Sequence, residues 1–158
     1  MSDIHTNQNT NNIEGVSQVN TGPEDCVFCK IIDGTIPSHK IYEDDETLAI
    51  LDIAPTNYGH VLVLSKDHFE NIYTLPQETA CRIMMTVQKM ATAVRNGVES
   101  DGVNIIMNNE PAAGQIIFHA HVHVVPRLNE DGLRHWPHKE YKDEEEKMVY
   151  VEKIKKEI

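Results

Sequence analysis

Basic side chains, aromatic side chains and cysteine are all scarce in this sequence of 158 residues. Its 14 lysines and arginines are outnumbered by 25 aspartates and glutamates, which gives a formal net charge of -11. An average field of that sign repels nucleic acid and anionic membrane surfaces, although a small pocket with local donors could still bind a phosphate. No run approaches the ~18 apolar residues of a membrane-spanning helix. We therefore expect neither a nucleic-acid partner nor a membrane partner.

The first 22 residues lack the basic start and the apolar run of a secretory signal. They are polar and rich in asparagine and threonine, so we expect a disordered tail over residues 1–22. Three cysteines in a chain without such a signal favour a reducing compartment. The expected location is the cytoplasm, or the cytoplasm and the nucleus.

Short apolar stretches between turn residues predict strands, and one long periodic stretch predicts a helix. That helix is expected over residues 76–96, where apolar side chains recur on one face and Gly97 follows. The remaining predictions are a short helix at 26–33, a terminal helix at 143–158, and strands at 40–43, 47–53, 60–64, 103–107 and 116–126. Short turns between strands favour antiparallel pairing, so the sequence predicts an α+β domain with a five-stranded antiparallel sheet.

Three histidines, His119, His121 and His123, alternate with small and β-branched residues. On a strand they would share one face at intervals of about 7 Å. A purely structural role is a weak explanation, because every buried imidazole needs hydrogen-bond partners. One catalytic metal is the first functional alternative, but the outer two histidines would lie about 13–14 Å apart on a straight strand. A nucleophilic histidine with two assisting residues is therefore the favoured interpretation.

The histidines are part of a longer ordered series of motifs. NNEPAAGQIIF precedes them and Pro126-Arg127 follows, while CVFCKIIDGTIPS, YEDD, LDIAP and GHVLV lie upstream. This series, spread over residues 25–137, resembles the histidine-triad (HIT) family of nucleotide hydrolases and transferases, and within it the Hint-like and bacterial-type branch. The resemblance implies a HIT-like fold over residues 23–142, with an acidic helical extension over 143–158.

The resemblance also implies a role for each matching residue. His121 would attack the α-phosphorus of a purine nucleotide and form a nucleotidyl-histidine, and His60 would lie beside it and orient it. The other contacts would be made by His123 and Asn108 to the phosphate, Gln115 to the bridging oxygen or leaving group, Asp52 to the ribose hydroxyls, and Ile36, Ile50 and Ile53 to the base.

Cys26 and Cys29 form a C-x-x-C pair. A redox-active pair normally opens a helix after a strand in a βαβ unit, a context that is missing here. A metal needs two further ligands, and two unmetallated thiols are the alternative. Resemblance to the zinc-bearing branch of the family implies that His68 and His119 complete a Cys2His2 set, which would be a closed, structural zinc site.

The activity implied by the resemblance is hydrolysis of a purine nucleoside monophosphate linked to an amine, with adenosine phosphoramidates as the lead substrates. The alternatives are cleavage of dinucleoside polyphosphates and a nucleotide-binding protein that acts through partners. Two residues depart from the family pattern: Ile116 replaces a serine that could assist the leaving group, and Glu110 replaces a frequent glycine. The resemblance further implies a homodimer formed through the long helix and the neighbouring strand.

Overall fold

The structure, a computed structural model, describes residues 23–134 and 136–158. The tail expected over residues 1–22 therefore lies outside the described residues. The elements, in chain order, are α1 (Val27–Ile32), β1 (Lys40–Glu43), β2 (Thr47–Leu51), β3 (Val61–Ser65), α2 (Gln77–Gly97), β4 (Gly102–Ile106), a 3-10 turn (Pro111–Ala113), β5 (His121–Arg127) and α3 (Glu144–Lys155).

The five strands form one sheet in the order β1-β2-β3-β5-β4, and every neighbouring pair is antiparallel. This confirms the predicted α+β fold with one long helix and two shorter ones. Strand β5 lies inside the sheet, where Leu62 and Leu64 of β3 are paired with His123 and His121. The histidine strand is therefore held on both sides by backbone hydrogen bonds.

Helix α2 covers one face of the sheet. Its buried residues recur at helical spacing, and together with the sheet side chains beneath them they form a core of Ala49, Val61, Val63, Ile83, Val87, Met90, Val94, Val122 and Val124. The hydroxyls of Thr47 and Thr86, 2.8 Å apart, add a buried hydrogen bond between β2 and the helix. Burial of this apolar stripe is what fixes the helix against the sheet.

The opposite face carries helix α1 and the histidines. Phe28 of α1 packs with Leu48, Ile50, Leu62 and Leu64 in a second core cluster. Because side chains alternate along a strand, the β5 residues that share this face with Leu62 and Leu64 are the two histidines paired with them. The second face thus combines an apolar cluster with imidazoles.

Two predicted strands end or begin elsewhere. Strand β5 starts at His121 and not at residue 116, because the N–H of Ala120 donates to the carbonyl of Phe69 at 2.6 Å and leaves the ladder. His119 precedes the strand, where its N–H donates to the carbonyl of Ile117. Strand β2 ends at Leu51, and the carboxylate of Asp52 accepts the N–H of Ala54 in the turn that follows.

Helix α3 has no buried residue, and Met148, Val151 and Ile154 expose much of their surface. Its first turn is capped by Asp143, whose carboxylate accepts the N–H of Glu146 at 2.8 Å. The helix is therefore held by its own local bonds. Among the described helices, none combines the length and the apolar character needed to cross a bilayer.

Ending the chain at residue 142 should change the melting temperature by less than about 2 °C, because removing α3 uncovers little buried apolar area. Scanning calorimetry would measure the shift. Ile83→Ala is the matched control, since it removes a side chain that is 2% exposed and should cost about 2–5 kcal/mol. A truncated protein destabilised as strongly as Ile83→Ala would show that α3 packs against the domain or against a second copy.

Candidate active site

The ring of His121 is held by a single strong hydrogen bond. Its Nδ1 lies 2.6 Å from the carbonyl oxygen of His119. A carbonyl can only accept, so Nδ1 carries the proton and Nε2 keeps its lone pair. Burial lowers the pKa of His121, whose exposed fraction is 7%, and this favours the neutral ring at neutral pH. This arrangement leaves Nε2 of His121 with a free lone pair, which is the state of the ring that a nucleophilic histidine requires.

A cavity of about 420 Å³ opens on the same face of the sheet. Most of its wall is apolar and comes from α1, from β2 with the turn after it, and from the segment before β5. The apolar lining includes Val27, Phe28, Ile31, Ile50, Ile53, Leu62, Ile116 and Ile117, and the polar lining consists of Asp52, Asn108, His121 and His123. A slot of this size with a few polar groups suits a flat ligand that carries a polar or anionic end.

Of the residues predicted for the nucleotide, Asp52, Asn108, Ile50, Ile53 and His123 line this cavity with His121. Ile36 does not; it lies in the turn after α1, where its N–H donates to the carbonyl of Lys30. Its expected place is taken by residues of α1 itself. The apolar periodicity of that helix was visible in the sequence, but it could not show which apolar side chains face the slot.

His60 supports His123 and not the nucleophile. Its Nε2 lies 2.9 Å from Nδ1 of His123, and its Nδ1 lies 3.3 Å from the carboxylate of Asp52. We expected His60 beside His121, but Leu62, two residues further on, is paired with His123, and this register places the ring at His123. Burial lowers the pKa of both imidazoles, while the charge of Asp52 raises it.

Gln115 also has a different position from the one expected. Its side chain is buried: Oε1 accepts the N–H of Glu110 at 2.8 Å, and Nε2 donates to the carbonyls of Glu70 at 2.6 Å and Ile117 at 3.2 Å. An amide with all these partners is not free to reach a bridging oxygen. Gln115 instead ties the loop before β5 to the segment before α2.

In the loop that Gln115 holds, two residues have a positive φ. Gly114, at φ +89°, lines the cavity beside Asn108. The side-chain Nδ2 of Asn108 donates to the carbonyl oxygen of Gly114 at 3.5 Å. Glu110, at φ 72° and ψ 156°, occupies a region in which only glycine is free of strain. The strain accounts for the glycine that the family resemblance implies at this position. The Glu110 carboxylate accepts from Nδ2 of Asn71 at 3.3 Å.

A second cluster of side chains contains His119, two residues before His121. The sulfurs of Cys26 and Cys29 and one ring nitrogen each of His68 and His119 all lie within 4.8 Å of one another. Sγ of Cys29 lies 3.3 Å from Nδ1 of His68 and 3.5 Å from Nδ1 of His119, and Sγ of Cys26 lies 3.4 Å from Nδ1 of His119. Tetrahedral zinc with bonds of about 2.3 Å to sulfur and about 2.0–2.1 Å to nitrogen separates such ligands by about 3.5 Å. The four residues therefore fit a tetrahedral metal.

A hydrogen bond to Ser65 and burial both favour His119 as a metal ligand. Its Nε2 donates to the carbonyl of Ser65 at 2.8 Å, so Nδ1 presents its lone pair to the two sulfurs. Burial lowers the pKa of His119 to about 4 and raises the pKa of the Cys29 thiol to about 11. A buried neutral imidazole is a ready metal ligand, whereas the raised pKa of Cys29 keeps its thiol protonated at neutral pH until a metal displaces the proton.

Gln115→Ala should lower the free energy of unfolding by about 1–3 kcal/mol, because it empties a buried position and removes the part-buried bonds to the N–H of Glu110 and the carbonyl of Glu70. Urea unfolding would measure the change. Gln88→Ala, on the exposed side of α2, is the matched control and should change stability by less than about 0.5 kcal/mol. Equal stability of the two variants would return Gln115 to a role in substrate contact.

The comparisons with known proteins all point to one family. The HIT domain model matches residues 33–130, more than half of the chain. The chain is 48% identical over 111 residues to Protein hit of Bacillus subtilis, covering 70% of this chain and 77% of that protein.

Two relatives carry names with an activity. The chain is 41% identical to adenosine 5'-monophosphoramidase hnt1 of Schizosaccharomyces pombe, covering 67% of this chain and 77% of that one. It is 40% identical to adenylylsulfatase HINT3 of Arabidopsis thaliana, covering 76% of this chain and 61% of the longer plant protein.

Solved structures agree with the sequence relatives. The fold is similar to that of a HIT family member from Bacillus subtilis, with a TM-score of 0.79, 40% identity, and coverage of 85% of this chain and 97% of the other. It is also similar to a Zn-bound histidine triad protein from Mycobacterium smegmatis, with a TM-score of 0.68, 37% identity, and coverage of 87% and 100%. The chain therefore belongs to the histidine-triad (HIT) family.

Proposed function

We propose that this protein hydrolyses the bond between the α-phosphorus of a purine nucleoside monophosphate and its leaving group, through a nucleotidyl intermediate on His121. The observation that carries the proposal is the 2.6 Å hydrogen bond from His121 Nδ1–H to the His119 carbonyl. It leaves Nε2 as the reactive nitrogen of a buried, neutral ring that lines the cavity.

The reaction would run in two displacements at phosphorus. In the first, Nε2 of His121 attacks, a phosphorus–nitrogen bond to the ring forms, and the bond to the leaving group breaks as that group takes a proton from solvent. In the second, water attacks the same phosphorus and loses a proton to solvent, the phosphorus–nitrogen bond breaks, and the nucleoside monophosphate leaves as Nε2 of His121 regains its lone pair. His123 and Asn108, which line the same cavity, would donate to the phosphate oxygens.

The rest of the cavity supports a purine nucleoside. Ile50 and Ile53 offer apolar surface to a flat base, and Phe28 packs edge-on against His121 at a ring distance of 5.0 Å. Asp52 offers a carboxylate that can accept from ribose hydroxyls. The activities for which two relatives are named, adenosine 5'-monophosphoramidase and adenylylsulfatase, support an adenylyl group with a variable leaving group.

On the leaving-group side of the cavity, this chain differs at one residue from the pattern of the related branch. Ile116, which is 86% exposed, lines the mouth at the position where the related branch often has serine. An isoleucine can pack against an apolar leaving group, but it cannot protonate one. We propose adenosine phosphoramidates as the lead substrates, with dinucleoside polyphosphates as the comparison in the same assay.

His121→Asn should keep the affinity for AMP within a few fold while turnover falls by at least ~10³, since the covalent step needs the imidazole. His123→Asn should be milder, a loss of ~10²–10³, because it removes one donor among several. Steady-state kinetics on an AMP-amine substrate and calorimetric binding of AMP would give both quantities.

Rapid quenching with labelled substrate adds a direct readout. The wild-type protein should trap AMP as an acid-labile, base-stable adduct, as a phosphorus–nitrogen bond requires, and His121→Asn should trap none. Turnover of His121→Asn near the wild-type rate would contradict the mechanism. The protein would then be either a nucleotide-binding protein without this activity or a hydrolase with a different catalytic centre.

We also propose that the Cys2His2 cluster holds a structural zinc ion. The support is the match between the sulfur–nitrogen distances and tetrahedral geometry, together with the Zn-bound neighbour of similar fold. Four protein ligands close the coordination sphere, so the ion would stabilise the fold and would have no open position for substrate. The proposal further includes a homodimer through α2 and the edge strand β4, where Met84, Met85 and Ile105 remain exposed.

Freshly prepared reduced protein should contain close to one zinc per chain. Cys29→Ser should lose the ion and melt at a much lower temperature, since structural zinc contributes ~10–16 kcal/mol in small peptides. Metal analysis and calorimetry would test both. Cys81→Ser is the matched control because Cys81 is exposed on α2, away from the cluster, and it should retain metal and stability. Wild-type protein without zinc would contradict this assignment.

A further inference from the structure

Asp52, His60 and His123 form a continuous row of titratable groups along the wall of the cavity. Asp52 Oδ2 lies 3.3 Å from Nδ1 of His60, and Nε2 of His60 lies 2.9 Å from Nδ1 of His123. Asp52 and His123 both line the cavity, and His60, 3% exposed, lies between them. The atom that this row leaves for a bound ligand is Nε2 of His123.

The row has two neutral proton arrangements, and each leaves one end mismatched. If His60 donates from Nδ1 to Asp52, its Nε2 accepts from His123, and His123 then offers only a lone pair to the cavity. If the N–H of Thr56, 3.3 Å from Nδ1 of His60, donates instead, His123 presents Nε2–H. In that case the lone pair of His60 faces the carboxylate of Asp52. When the two imidazoles share one additional proton, Nδ1–H of His60 faces the Asp52 carboxylate and Nε2–H of His123 faces the cavity, so both ends of the row are satisfied. The N–H of Thr56 then gives up its 3.3 Å bond to Nδ1 of His60.

We propose that nucleotide binding draws one proton from solvent onto the His60–His123 pair, which is then held between the Asp52 carboxylate and the α-phosphate. Asp52 and His60 would thereby be positioning residues that turn His123 into a charged donor. The charge of the pair rises from zero to plus one, next to an anion on each side. The inference rests on the proposed nucleotide site, but it does not require that the bound nucleotide be hydrolysed.

The surroundings of the pair support an uptake that depends on the ligand. Burial lowers the pKa of both imidazoles, which keeps the pair neutral in the free protein, and Asp52 is the negative group that opposes this. The other titratable neighbour is His121, on the same strand, whose ring centroid lies 5.0 Å from that of His123. A phosphate anion at Nε2 supplies the second negative charge that the pair lacks.

Asp52 would then have two separable tasks. It would accept from the ribose hydroxyls, as the family resemblance implies, and it would stabilise the proton on the pair. A nucleotide without ribose hydroxyls removes the first task and leaves the second intact. The two tasks can therefore be measured independently with AMP and 2',3'-dideoxy-AMP.

The test is calorimetric titration of both nucleotides at pH 7.5 in buffers with different ionisation enthalpies, where the slope of the observed enthalpy gives the number of protons taken up. The wild-type protein should take up close to one proton with either nucleotide, and its affinity should fall by up to about tenfold per pH unit on raising the pH. Asp52→Asn and His60→Gln should reduce the uptake to near zero with both nucleotides.

Three controls keep the result specific. His121→Asn should retain the uptake, which separates the pair from the nucleophile. His39→Gln, an exposed histidine, should also retain it. Asp52→Asn should remain folded by calorimetry and should still bind 2',3'-dideoxy-AMP.

The proposal is overturned if the wild-type protein binds AMP without taking up a proton, or if Asp52→Asn retains the uptake with the dideoxy nucleotide. Loss of the uptake in His121→Asn would assign the proton to the nucleophile and would equally overturn it. Failure of the proposed function has a different signature, because AMP would then not bind, or would bind with proton uptake and no substrate would be turned over.

Discussion

The carbonyl oxygen of His119 is the atom on which the candidate active site depends. It fixes the proton of His121 on Nδ1 and so decides which nitrogen can react. The ring of the same residue belongs to the Cys2His2 cluster and donates to Ser65 at the end of β3. One residue therefore joins the sheet, the candidate metal centre and the candidate nucleophile, and its backbone position sets the orientation of the His121 ring.

The two faces of the sheet have different roles: one forms the core with α2, and the other carries the candidate active site. On the α2 face, Val61, Val63, Val122 and Val124 make an apolar core with the helix. On the other face, the same strands present Leu62, Leu64, His121 and His123, and the leucines exclude water from the imidazoles. Burial keeps these rings neutral and makes each hydrogen bond to them stronger than it would be in water. The chemistry of the cavity thus follows from alternation along two paired strands.

Local pattern was enough to predict the elements and the alternation of His121 and His123, because a two-residue or 3.6-residue period is a property of the sequence itself. It was not enough where a partner is remote in the chain. The start of β5 depends on Phe69, 51 residues before Ala120, and the position of Gln115 depends on Glu70, 45 residues away. The contact of His60 with His123, and not with His121, likewise depends on the β3–β5 register, which no local pattern specifies.

Glu110 shows how the loop before β5 can carry strain without losing its shape. A non-glycine residue in its backbone conformation costs about 1–3 kcal/mol. Its N–H donates to Gln115, its carbonyl accepts from Ala113 and Gln115, and its carboxylate accepts from Asn71. These bonds oppose the strain and fix the loop that presents Gly114 and Asn108 to the cavity. Gln115 would thus serve the reaction without touching the substrate, by holding the backbone that does.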